Sequence, residues 1–101
     1  MGSRKKTRRV QNWPKTDFFQ PKDVPFEDVK STMLSLEGFE ALRLIDWEGV
    51  SRNNAAEMMG VSAPTLSRIL TKARSAVAGS IANGWAIHIH GGDYTIIDGS
   101  K

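Results

Sequence analysis

SRNNAAEMMGVSAPTLSRILTKAR, from Ser51 to Arg74, carries the strongest structural signal in the chain. It reads as a helix, a three-residue turn and a second helix, the unit that lays its second helix in the major groove of DNA. Ala56 stands where the first helix must be thin enough for the second to cross it. Gly60 stands where the chain turns, a place where positive φ is common and costs glycine nothing. Val61, Leu66 and Ile69 fall on the inner face with Met59. Ser51 and Ser62 occupy the two N-cap positions, and Pro64 sits in the first turn after Ser62, where a missing N–H is harmless. Two capped starts, one glycine stop and one shared apolar seam support the same unit.

Downstream, Leu66, Ile69, Leu70, Ala73, Val77 and Ile81 keep one face apolar, so the second helix is expected to run on to a stop at Asn83-Gly84. The period then changes. Trp85, Ile87 and Ile89 alternate with Ala86, His88 and His90, Gly91-Gly92 follows, and Tyr94 to Ile97 read as a return strand, which predicts a β-hairpin over 85–98. Its apolar face must dock on the helical core, on the Val10–Trp13 segment or on a second subunit, because a lone hairpin is marginal in water. Upstream, Ser35 caps a helix expected over Leu36 to Trp47, with Leu36, Phe39, Leu42 and Ile45 as its apolar stripe and Gly49 as its stop. Residues 26–32 suggest a short helix. Pro14, Pro21 and Pro25 exclude a long helix or a central strand over residues 10–26, yet Val10, Trp13, Phe18, Phe19, Val24 and Phe26 are too apolar for a free linker. An extended segment lying over the core is expected there, with the aromatics packed inward rather than stacked on bases.

The expected fold is therefore mainly α: a helix-turn-helix of three to four helices with a C-terminal β-hairpin and an extended N-terminal arm. With 101 residues there is room for one core, so residues 1–9 are read as a disordered basic arm and 10–101 as a single domain. No apolar run reaches the roughly 20 residues of a membrane helix, and no apolar segment follows the basic start as a signal peptide requires. Cysteine is absent, which removes disulfides and thiolate metal sites.

The net charge of +3 is unevenly spread. Arg4, Lys5, Lys6, Arg8 and Arg9 crowd the start without an acid, and Arg68, Lys72 and Arg74 do the same over residues 62–75. Residues 23–57 carry eight acids against three bases. Phosphate suits the two basic parts, and the acidic part suits repulsion from DNA or a basic protein partner. If the second helix enters the groove, Ser62, Ala63, Pro64, Thr65, Ser67 and Arg68 point outward from its first two turns. Arg68 is the expected base reader, because its fork fits the two acceptors of guanine. Thr71, Lys72 and Arg74 are placed for phosphate, as are Arg52 and Asn53 at the preceding helix start. His88 and His90 are the one metal-like pair, with Asp93 as a third group, but structural zinc wants four ligands and no metal or other cofactor is expected. No nucleophile–base pairing stands out, so no catalysis is expected.

LEGFEALRLIDWEGVSRNNAAEMMGVSAPTLSRILTKAR resembles region 4 of bacterial sigma factors. KKTRRV near the start, FFQPKDVP, that block and the closing HGGDY together resemble the small prokaryotic proteins grouped as domain-of-unknown-function family 134, described as predicted DNA-binding proteins. The resemblance covers about Arg4 to Tyr94. It implies sequence-specific binding of double-stranded DNA by the helix that begins at Ser62, in transcription regulation, in the cytoplasm and at the nucleoid. Family cysteines at positions matching Thr7 and Gln11 are missing here, which argues against a metal or redox role for the arm. A single such motif makes few base contacts, so a homodimer is expected, with the hairpin's apolar face as a candidate interface. Two rival readings remain: a protein-interaction module docking on RNA polymerase or a sigma factor through the acidic segment, and a metal or ligand sensor using His88 and His90.

Overall fold

A computed structural model describes residues 7–97. Helix α1 (Leu36–Ala41) begins at Ser35, whose hydroxyl accepts the Gly38 N–H at 3.0 Å. It continues without a break into π-helical turns over Leu42–Trp47, where the Glu48 N–H reaches back five residues to the Arg43 carbonyl. Gly49, at φ 75°, ends it. Helix α2 (Arg52–Met59) and helix α3 (Ala63–Asn83) follow, capped by the hydroxyls of Ser51 and Ser62. Gly60 closes α2 in the left-handed conformation at φ 71°, ψ 33°, and Gly84 closes α3 likewise. Both caps, both glycine stops and the run of α3 to Asn83 agree with the sequence reading.

Ala41, Leu44, Ala55, Ala56, Met59, Leu66 and Leu70 form the helical core, with Val61 and Ile69 packed against it. Ala56 is 4% exposed, as the close crossing of α2 and α3 requires. On the first helix the buried line runs through Leu36, Glu40 and Leu44, while Phe39, Leu42 and Ile45 lie half-buried beside it. A three-residue step drifts by about 60° around a helix of 3.6 residues per turn, so the stripe from Leu36 to Ile45 could not stay on one buried face.

The mainly α architecture does not hold. Among the described residues, five strands in two sheets stand beside the helices, and the fold is α+β. Strands β1 (Arg8–Val10) and β5 (Tyr94–Ile96) pair in parallel, with Val10 opposite Ile96. Strands β2 (Phe18–Phe19), β4 (Ala86–Ile89) and β3 (Ser31–Leu34) make the second sheet in the order β2-β4-β3. The short helix expected over residues 26–32 is confined to one 3-10 turn at Phe26–Asp28, and the chain then enters β3 at Ser31. Parallel strands cannot be joined by a tight turn and need a long crossover. Here all three helices form the crossover from β3 to β4.

The C-terminal hairpin does not form. Strand β4 is paired on both edges, antiparallel to β2 and parallel to β3, so no edge is left for β5. Gly91-Gly92 is a connector instead of a two-residue hairpin turn. It passes over the start of α1, where the Leu36 N–H donates to the Gly91 carbonyl at 3.0 Å and the Asp93 N–H to Glu37 Oε1 at 2.6 Å. Of the docking partners open to the C-terminal strands, β5 takes the Val10 segment. Val10, Leu34, Leu36, Ala73 and Ile89 gather there as a second core that joins strands to α1 and α3. Ile87, Ile89, Tyr94 and Ile96 of the expected hairpin are thus packed against the chain's own core, and only Trp85 of that side stays exposed, so it is not a continuous free dimer face.

The N-terminal segment is fixed by an ionic network centred on Glu40, which is 1% exposed. Its carboxylate accepts from Arg43 Nε and Nη2, each at 3.0 Å, and from the Gln11 N–H at 3.0 Å. The same guanidinium donates to Gln11 Oε1 and, through Nη1, to Glu48 Oε2 at 2.6 Å. The hydrogen bond to Glu40, helped by the nearby Glu40 and Glu48 charges, raises the Arg43 pKa above its ordinary value against the opposing effect of burial. The acidic stretch 23–57 is therefore not a uniform outer surface, since Glu40 is interior. Among the described residues, no helix is long and apolar enough to cross a membrane.

Candidate nucleic-acid interface

The first two turns of α3 are open. Ser62, Ala63, Pro64 and Arg68 are exposed, and Thr65 and Ser67 are half-buried. Ser62 Oγ accepts the Thr65 N–H at 3.2 Å and lies 3.0 Å from Thr65 Oγ1. Arg68 Nη2 donates to Thr65 Oγ1 at 3.4 Å, a weak contact that leaves most of the guanidinium fork available. Arg68 has no carboxylate partner among the described residues.

Ser67, Thr71 and Ser75 recur every four residues along α3, and Arg68 and Lys72 form the adjoining row. Residues so spaced share one helix face, and these five line one open groove along α3 with no carboxylate among them. Helix α2 adds to this side: Arg52 Nη1 donates to Ser67 Oγ at 3.2 Å, which brings the start of α2 against the N-terminal end of the groove. Asn53 is exposed on the same first turn. Such a surface offers hydroxyl groups and three cations, the Lys72 ammonium and the Arg68 and Arg52 guanidinium groups, which suit phosphates and base edges.

Other predicted contacts are engaged elsewhere. Arg74 donates to Asp46 through Nε at 3.1 Å and Nη2 at 2.7 Å. The Arg74 hydrogen bonds hold the Asp46 carboxyl below its ordinary value of 3.8. The pair's contribution is thus complete above that value and is lost only as pH falls through the lower folded value. At neutral pH Arg74 is paired, and it meets a phosphate only by leaving Asp46.

The basic run at the start of the chain is not all arm. Arg8 and Arg9 belong to β1. The Arg8 side chain is 21% exposed, with Nη1 3.6 Å from Asp93 Oδ2 and Nε 4.0 Å from Glu37 Oε2. Arg9 donates from Nε to the Met58 carbonyl at 3.2 Å and from Nη2 to the Glu57 carbonyl at 2.9 Å. It closes the C-terminal end of α2, where free carbonyls and the helix dipole favour a cation. A Cβ at Gly60 would lie 3.0 Å from Arg9 Cζ, so that glycine serves both the left-handed turn and the arginine above it. Both arginines thus hold the fold together, and neither is a free phosphate contact. Arg4, Lys5 and Lys6 lie outside the described residues.

Sequence reasoning missed Arg9 as a helix cap and Arg43 with Glu40 as an anchor. The three-residue spacing of Glu40 and Arg43 was a usable sign for the second; nothing local marks the first. The ring centroids of His88 and His90 are 4.1 Å apart, and that of His88 is 5.5 Å from Phe18. Among the described residues, no group of three or more His, Cys, Asp or Glu is placed to hold a metal ion.

The family description "protein of unknown function DUF134" matches over residues 1–97. A UPF0251 protein of Rhodospirillum rubrum is 49% identical over 88 residues, covering 87% of this chain and 62% of its own length. UPF0251 proteins of Desulforudis audaxviator and Pelotomaculum thermopropionicum are 42% and 41% identical, covering 96% and 91% of this chain and 63% and 70% of their own. The chain thus spans less than two thirds of the first two relatives. No solved structure matches it. With a match over residues 1–97 and close to half of the aligned positions shared with a relative, the chain belongs to the DUF134 family, whose members are named UPF0251 proteins.

Proposed function

We propose that this protein binds double-stranded DNA sequence-specifically and regulates transcription, with α3 lying in the major groove. The observation that carries the reading is the exposed, carboxylate-free groove of Ser67, Arg68, Thr71, Lys72 and Ser75, flanked by Arg52. Arg68 reads a base, and Ser62, Thr65 and Ser67 take bases or phosphates. Ala63 and Pro64 meet a thymine methyl, while Thr71, Lys72, Arg52 and Asn53 hold the backbone. Two copies on paired half-sites give the contacts that one module lacks. No step of catalysis is involved, and the site of action is the nucleoid in the cytoplasm of a prokaryotic cell.

Selection of duplexes from a random pool, followed by anisotropy across a salt series, tests the reading. Affinity is expected to fall steeply with salt as counterions are released. Arg68→Ala should cost roughly 1–3 kcal/mol on the selected sequence and little on a scrambled one. Asp46→Asn removes an acid and releases Arg74, so it should strengthen binding to every duplex and steepen the salt slope by about 1. No enriched sequence, or binding insensitive to both changes, defeats the proposal.

A second reading has its own support. Trp47 is 82% exposed beside Phe39 and Leu42, an apolar patch suited to a protein partner such as RNA polymerase or a sigma factor. Trp47→Ala should abolish such docking and leave duplex affinity unchanged.

A further inference from the structure

A cavity of about 530 Å³ opens on the side where the N-terminal loop meets β4 and the Gly91 connector. Its volume falls in the range of small-molecule sites. Leu36 and Ile89 form an apolar floor, and Trp13 and Tyr94 stand as an aromatic wall, edge to face with centroids 5.7 Å apart. Lys15 and Asp17 are exposed on the loop side. Neither side chain is engaged in an ion pair or hydrogen bond among the described residues.

The walls are held by main-chain bonds as well as by the Trp13–Tyr94 ring contact. The Ile89 N–H donates to the Asp17 carbonyl at 2.8 Å, and the Leu36 N–H to the Gly91 carbonyl at 3.0 Å. The loop and the connector are thereby fixed on either side of the floor, so a ligand meets a cavity already formed. One unpaired cation and one unpaired anion, two residues apart beside an apolar and aromatic floor and wall, with Thr16 and His90 as the other polar side chains of the lining, match a molecule that carries both charges at one end and an apolar body at the other. We infer that this cavity binds a free zwitterionic amino acid with an aromatic or branched apolar side chain. Lys15 takes the carboxylate, Asp17 takes the ammonium, and the side chain rests on Leu36 and Ile89 against Trp13. The inference does not depend on the DNA reading.

Trp13 in the wall supplies a fluorescence signal, and calorimetry gives an independent one. L-phenylalanine and L-leucine should saturate the full-length protein with Kd of about 1 mM or below. Phenylacetate, which lacks the ammonium, and phenethylamine, which lacks the carboxylate, should each bind about tenfold more weakly. Lys15→Gln should bring phenylalanine down to the level of phenethylamine, and Asp17→Asn should bring it down to that of phenylacetate. Both substitutions are at exposed side chains, and circular dichroism checks that the fold is kept. No saturable heat or fluorescence change up to about 10 mM overturns the inference. So does phenylacetate binding as tightly as phenylalanine, or phenylalanine binding that ignores both substitutions.

Discussion

Glu40→Ala is expected to lower stability by about 3–5 kcal/mol, the usual loss when one partner of a buried ion pair is removed. For a domain of this size that is a fall in Tm of about 12 to 40 °C, read by thermal or urea denaturation. The loss is large because three donors lose their acceptor together: Arg43 Nε, Arg43 Nη2 and the Gln11 N–H. Glu40→Gln should not rescue it. One carboxylate oxygen faces Arg43 Nε and the other faces Arg43 Nη2 and the Gln11 N–H, so an amide NH₂ in either place meets a donor. Glu40→Ala with Arg43→Ala should be less harmful than the sum of the two single changes, because the second removes the charge that the first strands. Additive losses, or a Glu40→Ala protein within about 1 kcal/mol of the parent, would show that the network does not hold the N-terminal segment.

Gly92→Ala comes next, at about 2–5 kcal/mol. Two costs combine. Gly92 has φ 101°, where an L side chain is strained. A Cβ there would also collide with Glu37 Oε1 and lie 2.9 Å from Ser35 Cβ. Relief by moving Glu37 would break its hydrogen bond from the Asp93 N–H, and relief by moving Ser35 would disturb the cap of α1. Gly91 is the internal control. It has φ 75°, but the nearest atoms to its Cβ are those of Met33 at 3.8 Å, so Gly91→Ala should lose only the conformational part, about 1–2 kcal/mol. Equal losses at the two positions, measured by urea denaturation, would mean that the connector does not press on α1.

The helical unit was legible because its signals are local. Ser35, Ser51 and Ser62 cap the helices that follow them, and Gly49, Gly60 and Gly84 end them, since each acts within a few residues on its own backbone. The apolar spacing of Leu66 and Leu70 is likewise a property of one helix. The sheets were misread for the opposite reason. Gly91-Gly92 between two alternating runs is the ordinary sign of a hairpin, and it competes with long-range pairing that no short window contains. Phe18–Phe19 and Ser31–Leu34 are too short to announce themselves, yet they occupy both edges of β4 and send β5 to β1.

The candidate site divides along the same line. Exposure of Arg68 and Lys72 follows from the helical period once Leu66 and Leu70 are placed inside. The fates of Arg8, Arg9 and Arg74 do not follow, because their partners are 28 or more residues away in the chain. Charge in a sequence says that a side chain seeks a counter-charge or a carbonyl, and not which one. The three capped helices and the cationic face of α3 could be read from residue order, because these arise from interactions within a turn or two of helix. Tertiary structure alone decided the strand pairing, the burial of Glu40 and which arginines stay open to a ligand, because those depend on which distant segments the shared core brings into contact.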